Sequence, residues 1–239
     1  MKNSLLLAFA ILFFFSCKKE TIETPMPTPV SICMIDSTIA DGIAQKIIYD
    51  ENFRFKKGII YSKVDTIIQN AVYEGNKVTL TYEDRSGSQT VYLNKNGYCD
   101  SLIVDLGVGI IYLEYKYDAL KQPIERVAYG NVGGTEIDEV TSFEWLNGNL
   151  VKETTESATG ISVTSHEFDL SQKNTLQTYE SSLSFVPSSK NLVTKTAING
   201  ETTVILYSYF FDSKNRVNKV QTIVDEEVSE TFYHWTCNN

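Results

Sequence analysis

Two histidines, His166 and His234, are the first residues to weigh for chemistry in this chain of 239 residues. Neither belongs to a His-x-His, Cys-x-x-Cys or His-Glu-x-x-His motif, and zinc sites take three or four ligands with local spacing. The spacing predicts two strand histidines, hydrogen-bonded or facing solvent, and no metal. No Gly-x-Ser-x-Gly nucleophile elbow occurs. Gly107-Val108-Gly109 is followed by Tyr112 where a dinucleotide loop needs glycine. Carboxylates cluster at Glu136, Asp138 and Glu139 and at Asp225, Glu226, Glu227 and Glu230. Paired carboxylates can hydrolyse glycosides, and clustered oxygens can hold calcium. Both clusters fall at turns or strand starts, where acidic residues simply solvate the chain, so the expectation is no catalytic residue and no cofactor.

Cysteines and aromatics carry the remaining chemistry. Cys33, Cys99 and Cys237 follow Cys17. Three thiols leave at least one unpaired. Cys33 opens the body and Cys237 closes it, so these two pair if the sheet curls until its edges meet; otherwise all three stay reduced and buried. Tyr115 and Tyr117 point the same way from one strand, roughly 7 Å apart. With Trp145 and Trp235 they form either a platform for an extended ligand or part of the core, since aromatic stripes on strands mostly pack across strands.

The elements that carry these residues begin with a leader. Lys2 precedes an apolar run from Leu5 to Phe15. As a helix that run reaches roughly 16 Å, about half a bilayer's hydrocarbon core, which suits a signal peptide rather than a span. Ser16-Cys17-Lys18-Lys19 follows. This resembles a bacterial lipoprotein signal in its looser Bacteroidetes form, with Phe14 and Phe15 where the usual pattern has leucine and a small residue. The resemblance implies cleavage after residue 16 and lipidation of Cys17, including an amide-linked palmitate-type chain. Several chains anchor a protein stably where one is marginal. Residues 17–31 hold Pro25, Pro27 and Pro29 and read as a semi-rigid tether.

Residues 32–239 read as one all-β domain. Ile111, Leu113, Tyr115 and Tyr117 alternate with Tyr112, Glu114 and Lys116, and Val78, Leu80 and Tyr82 alternate with threonines. Period two marks half-buried strands. Ile39, Ala40, Ile43, Ala44, Ile47 and Ile48 fit a helical stripe, but Asp41-Gly42 in its middle is a hairpin signal. Turn signals recur about every 10–15 residues, as in all-β folds. They divide the body into an antiparallel meander of about 14–16 short strands, with almost no helix.

A unit recurs along it: an aromatic strand end, Asp, a short turn with Asn or Gly, then Arg or Leu and Val. Copies are Ile48-Tyr49-Asp50 with Asn52-Phe53-Arg54, Tyr117-Asp118 with Arg126-Val127, and Phe211-Asp212 with Asn215-Arg216-Val217. Phe143-Glu144-Trp145 with Asn147-Gly148 and Glu167-Phe168-Asp169 are degenerate copies. Asp can accept the turn's amides, while Asn or Gly takes the left-handed position. The units resemble YD repeats of Rhs-like proteins and of a family of Bacteroidetes lipoproteins that is a domain of unknown function. The resemblance implies a repeat sheet, curved or closed into a small barrel, and no particular activity.

Lysine and arginine total 21 against 30 aspartates and glutamates, a net charge of −9. Such a chain is a poor ligand for phosphate backbones, so no nucleic-acid partner is expected. The sequence points to a non-enzymatic lipoprotein anchored in the outer membrane of the cell envelope. Its expected role is a binding module for a glycan or a protein partner. The alternatives are a structural scaffold subunit using an exposed strand edge and a carboxylate-dependent hydrolase.

Overall fold

The computed structural model describes residues 32–199 and 202–237. The leader, Cys17 and the tether lie outside the described residues. The first half of the body contains β1 (Cys33–Ala40), β2 (Ile43–Tyr49), β3 (Phe55–Tyr61), β4 (Thr66–Glu74), β5 (Lys77–Tyr82), β6 (Ser88–Leu93), β7 (Cys99–Asp105) and β8 (Gly109–Tyr117). The second half contains β9 (Pro123–Val132), β10 (Thr135–Leu146), β11 (Asn149–Ser157), β12 (Gly160–Lys173), helix α1 (Gln177–Ser184), β13 (Asn191–Ile198), β14 (Thr203–Phe211), β15 (Val217–Val224) and β16 (Glu227–Cys237). Each strand pairs antiparallel with its sequence neighbours, and β16 returns to β1, so the sixteen strands close into a barrel. At the seam Cys33 faces Cys237 in a disulfide, and Ala40 faces Thr231. Closure, rather than an open curved sheet, removes the exposed strand edge that a scaffold would have used.

Both ends of the described chain lie at one rim, here the terminal end; the opposite rim is the distal end. Four of the turns at the terminal end repeat one design. The side-chain oxygens of Asp50, Asn94, Asp118 and Asp212 each accept the backbone N–H groups two and four residues on, at 2.8–3.2 Å. The third residue after each is left-handed: Phe53, Gly97, Lys121 and Asn215, with φ of 60°, 81°, 67° and 58°. A β-bulge precedes each turn, at Tyr49, Leu93, Tyr117 and Phe211. The repeat therefore holds as a turn device. Its left-handed position tolerates Phe and Lys as well as the Asn and Gly expected there, because four turn hydrogen bonds offset a cost of roughly 1–2 kcal/mol. At the distal end, two-residue turns such as Asp41-Gly42 and Gly133-Gly134 carry positive φ at both positions, as tight hairpins require.

Alternation assigns one side of each strand to the lumen. Ile35, Ile47, Phe55, Val78, Leu80, Val91, Cys99 and Val217 face inward and are buried. They pack against the segment between β12 and β13, through Leu176, Tyr179, Leu183, Phe185 and Val186. That segment crosses the terminal mouth. Cys99 donates its N–H to the Phe185 carbonyl, Leu150 to Ser189 Oγ and Val217 to Thr175 Oγ1, so the segment is tied to the first residues of β7, β11 and β15. Helix α1, eight residues long, is the one helix among the described residues and fits the expectation of almost no helix. Its residues lack turn signals and period two, and Leu176, Tyr179 and Leu183 recur at helical spacing. Asn174 starts it by accepting the Leu176 N–H at 2.9 Å.

Candidate functional site: the lumen and the outer wall

Aromatic side chains at the terminal ends of five even-numbered strands hydrogen-bond carbonyls near the start of the preceding strand. Tyr49 donates to the Ile35 carbonyl at 2.9 Å, Tyr73 to Phe55 at 2.9 Å, Trp145 to Pro123 at 2.7 Å and Trp235 to Val217 at 2.8 Å; Tyr117 does the same to Cys99. Tyr115, Tyr117, Trp145 and Trp235 thus all face the lumen, on three different strands, and are half-buried. The aromatic repeat position is an anchor between neighbouring strands. Burial drives the hydroxyls of Tyr117, Tyr209 and Tyr233 well above the ordinary tyrosine range, and that of Tyr73 up to about 12. Burial and the neighbouring Asp100 likewise raise the free Cys99 thiol to about 12, which leaves it unreactive at neutral pH.

One sector of the lumen is polar. Arg126 on β9 donates to Thr141 on β10 at 3.0 Å, and Thr141 meets Thr155 on β11 at 2.9 Å. On the next strands His166 holds Glu153 through Nε2 at 3.2 Å and Thr196 through Nδ1 at 2.9 Å. Arg126 Nε is buried without a partner among the described residues. This ladder spans five consecutive strands, β9 to β13. It borders a cavity of about 280 Å³ between the wall of β10–β14 and the crossing segment, lined among others by Trp145, Glu153, His166, Phe168, Glu180, Tyr207 and Tyr209. Toward the distal end, inward residues such as Gln45, Gln69, Gln89, Thr222 and Thr231 are half-exposed although they face inward, so water reaches the lumen from that side.

The outer wall is charged around its circumference. Cross-strand pairs join Lys57 to Glu83 at 2.9 Å, Lys116 to Glu125 at 2.5 Å, Lys152 to Glu144 at 2.7 Å, Lys195 to Glu167 at 3.3 Å and Lys219 to Glu230 at 3.0 Å. Two exposed tyrosines stack on this wall: Tyr112 on β8 and Tyr129 on β9, with ring centroids 5.3 Å apart and planes 15° from parallel. Tyr129 donates to Glu114 at 2.8 Å. Phe210, Phe232, Ile39 and Tyr61, each 41–44% exposed, share one cross-strand row with Lys219 and Ala44 between them.

Of the residues weighed from sequence, His166 joins the ladder and His234 is exposed on β16. Glu136 and Asp138 face outward while Glu139 faces the lumen, so alternation separates that cluster; Asp225 and Glu226 form the distal β15–β16 turn. Among the described residues no group of three or more His, Cys, Asp or Glu side chains is placed to hold a metal. Arg126, Glu153, Glu180 and Asn174 escaped the sequence reading. The first two are charged residues at inward-facing positions, a signal that becomes legible only once the bulges fix which parity faces in.

No protein-family profile matches the chain, and no curated protein is similar to it. Among solved structures, a porin-like protein from Bacteroides uniformis superposes with a TM-score of 0.63 at 11% identity, covering 84% of this chain and 96% of that one. A porin-like protein from Bacteroides vulgatus gives a TM-score of 0.58 at 12% identity, covering 84% and 97%. At such identity the likeness is one of fold, and that fold is a closed all-β meander barrel.

Proposed function

We propose that this chain is a lipid-anchored, non-catalytic binding module of the outer membrane, with its barrel standing in water and its partner a glycan or an envelope protein. The observation that carries the reading is the polarity of the wall. A membrane-spanning barrel turns an apolar band about 25 Å tall toward lipid, and an outward Lys at mid-membrane costs about 2–4 kcal/mol. This barrel carries ion pairs outward on strands all round its circumference, interspersed with outward apolar side chains such as Val72, Leu206 and Phe210, and those charges break up any continuous apolar band. The porin-like name of the two similar structures would put a barrel in the membrane; the wall's charges favour a place beside it. Attachment then falls to Cys17, and the tether joins the terminal rim, leaving the distal mouth and the outer wall free for a partner. The stacked Tyr112–Tyr129 pair offers a flat aromatic surface of the kind that packs on sugar rings.

Metabolic labelling with a fatty-acid analogue should mark the wild type and leave Cys17→Ala unmarked and released from membranes. Equal labelling of both refutes the anchor. On a glycan array, Tyr112→Ala should lose the signal the wild type gives. An array blank for the wild type turns the reading to a protein partner, for which the exposed Phe210–Phe232–Ile39–Tyr61 row is the supporting surface.

A further inference from the structure

The cavity behind the crossing segment has a chemistry of its own, distinct from the outer wall. Its walls include four aromatic rings: Trp145 on β10, Phe168 on β12, and Tyr207 and Tyr209 on β14. Two carboxylates, Glu153 and Glu180, complete it, and among the described residues no lysine or arginine lines it. Glu153 is held by His166 Nε2 at 3.2 Å, and Glu180 accepts from Asn174 Nδ2 at 3.0 Å. His166 Nδ1 meets the Thr196 hydroxyl at 2.9 Å, which fixes the ring beside Glu153. Trp145 is fixed by its bond to the Pro123 carbonyl, which leaves its ring faces for packing.

We infer that this cavity binds a small organic cation, an ammonium or alkylammonium group held between the aromatic rings and the Glu153 and Glu180 carboxylates. Three physical reasons converge. Aromatic faces attract cations through their quadrupole, most strongly where water is excluded. The two carboxylates supply complementary charge in a partly desolvated space, where it counts for more than at the surface. The cavity of about 280 Å³ has room for a small alkylammonium. An anion would meet two carboxylates and no lysine or arginine on the lining, and a neutral apolar guest would gain nothing from either carboxylate.

The test is calorimetric titration of the purified protein with three probes, choline, tetramethylammonium and putrescine, beside 3,3-dimethylbutan-1-ol, the uncharged isostere of choline. At least one cation should bind, and choline should bind about tenfold more tightly than its isostere, the ratio expected of a desolvated cation–π and charge contact. Glu153→Gln and Glu180→Gln keep side-chain shape and should each weaken the cation about fivefold or more, without changing the isostere. If neither variant folds, the comparison of choline with its isostere on the wild type decides alone. Binding of the isostere as tight as choline, or no binding of any of the three cations, overturns the inference. A glycan bound on the outer wall would leave these titrations unchanged, so the two readings fail separately.

Discussion

Replacing both seam cysteines, Cys33→Ser with Cys237→Ser, removes the disulfide that joins the first and last strands. The disulfide spans a sequence separation of 204 residues. Closing a loop of that length in the unfolded chain removes entropy worth about 5 kcal/mol at 25 °C on the chain-entropy account. The folded side loses little, because Cys33 and Cys237 already face each other in the β1–β16 ladder and the partners from Met34 to Ala40 stay paired. A Ser at 237 also keeps a polar atom for Arg216, whose Nη1 donates to Cys237 Sγ at 2.9 Å. For a domain of this size 1 kcal/mol corresponds to about 2–4 °C, so the double variant should melt roughly 10–20 °C lower. Differential scanning calorimetry of wild type and variant without reductant reads this directly, with Cys99→Ala as a control that removes a buried thiol and no bridge. A double variant melting within about 2 °C of wild type would refute the bridge or the reasoning that it acts by restricting the unfolded chain.

Asp118→Ala and Asp212→Ala should each destabilise by about 0.5–2 kcal/mol through lost turn hydrogen bonds, with Asp212 the costlier because it also holds Arg216 Nε at 2.8 Å. Equal melting of wild type and both variants would remove the turn role. Tyr73, Tyr117, Tyr209 and Tyr233 have folded values above the ordinary value of 10.0, so the stability they contribute is whole below about pH 10 and is lost as pH rises through the higher folded values. Spectrophotometric titration should show the exposed tyrosines ionising first and these four only later or on unfolding. A single transition near pH 10 in protein that remains folded would contradict their placement in the lumen.

Much of the architecture lies in local sequence. Strand alternation, hairpins such as Asp41-Gly42 and the repeated Asp turns depend on dihedral preferences and hydrogen bonds within a few residues, and these dictate an antiparallel meander of about the observed number of strands. Which side of each strand faces inward was not legible. Each β-bulge shifts the parity by one residue, so although aromatic stripes on strands mostly pack in a core, whether Tyr115 and Tyr117 do so is decided only by the curvature of the sheet. Pairing of Cys33 with Cys237 needed the accumulated twist and register of sixteen strands, which no local segment contains. Helix α1 took its place from the apolar mouth it covers, through Leu176, Leu183 and Phe185, more than from any strong helical preference in its serine-rich sequence. The cavity was further still from view, because Trp145, Glu153, His166, Glu180 and Tyr209 come from four strands and a helix that meet only once the barrel has closed around the crossing segment. The chain by itself therefore determines how each piece bends and pairs, whereas closure decides what is inside, since burial belongs to the whole curved surface and not to any single strand.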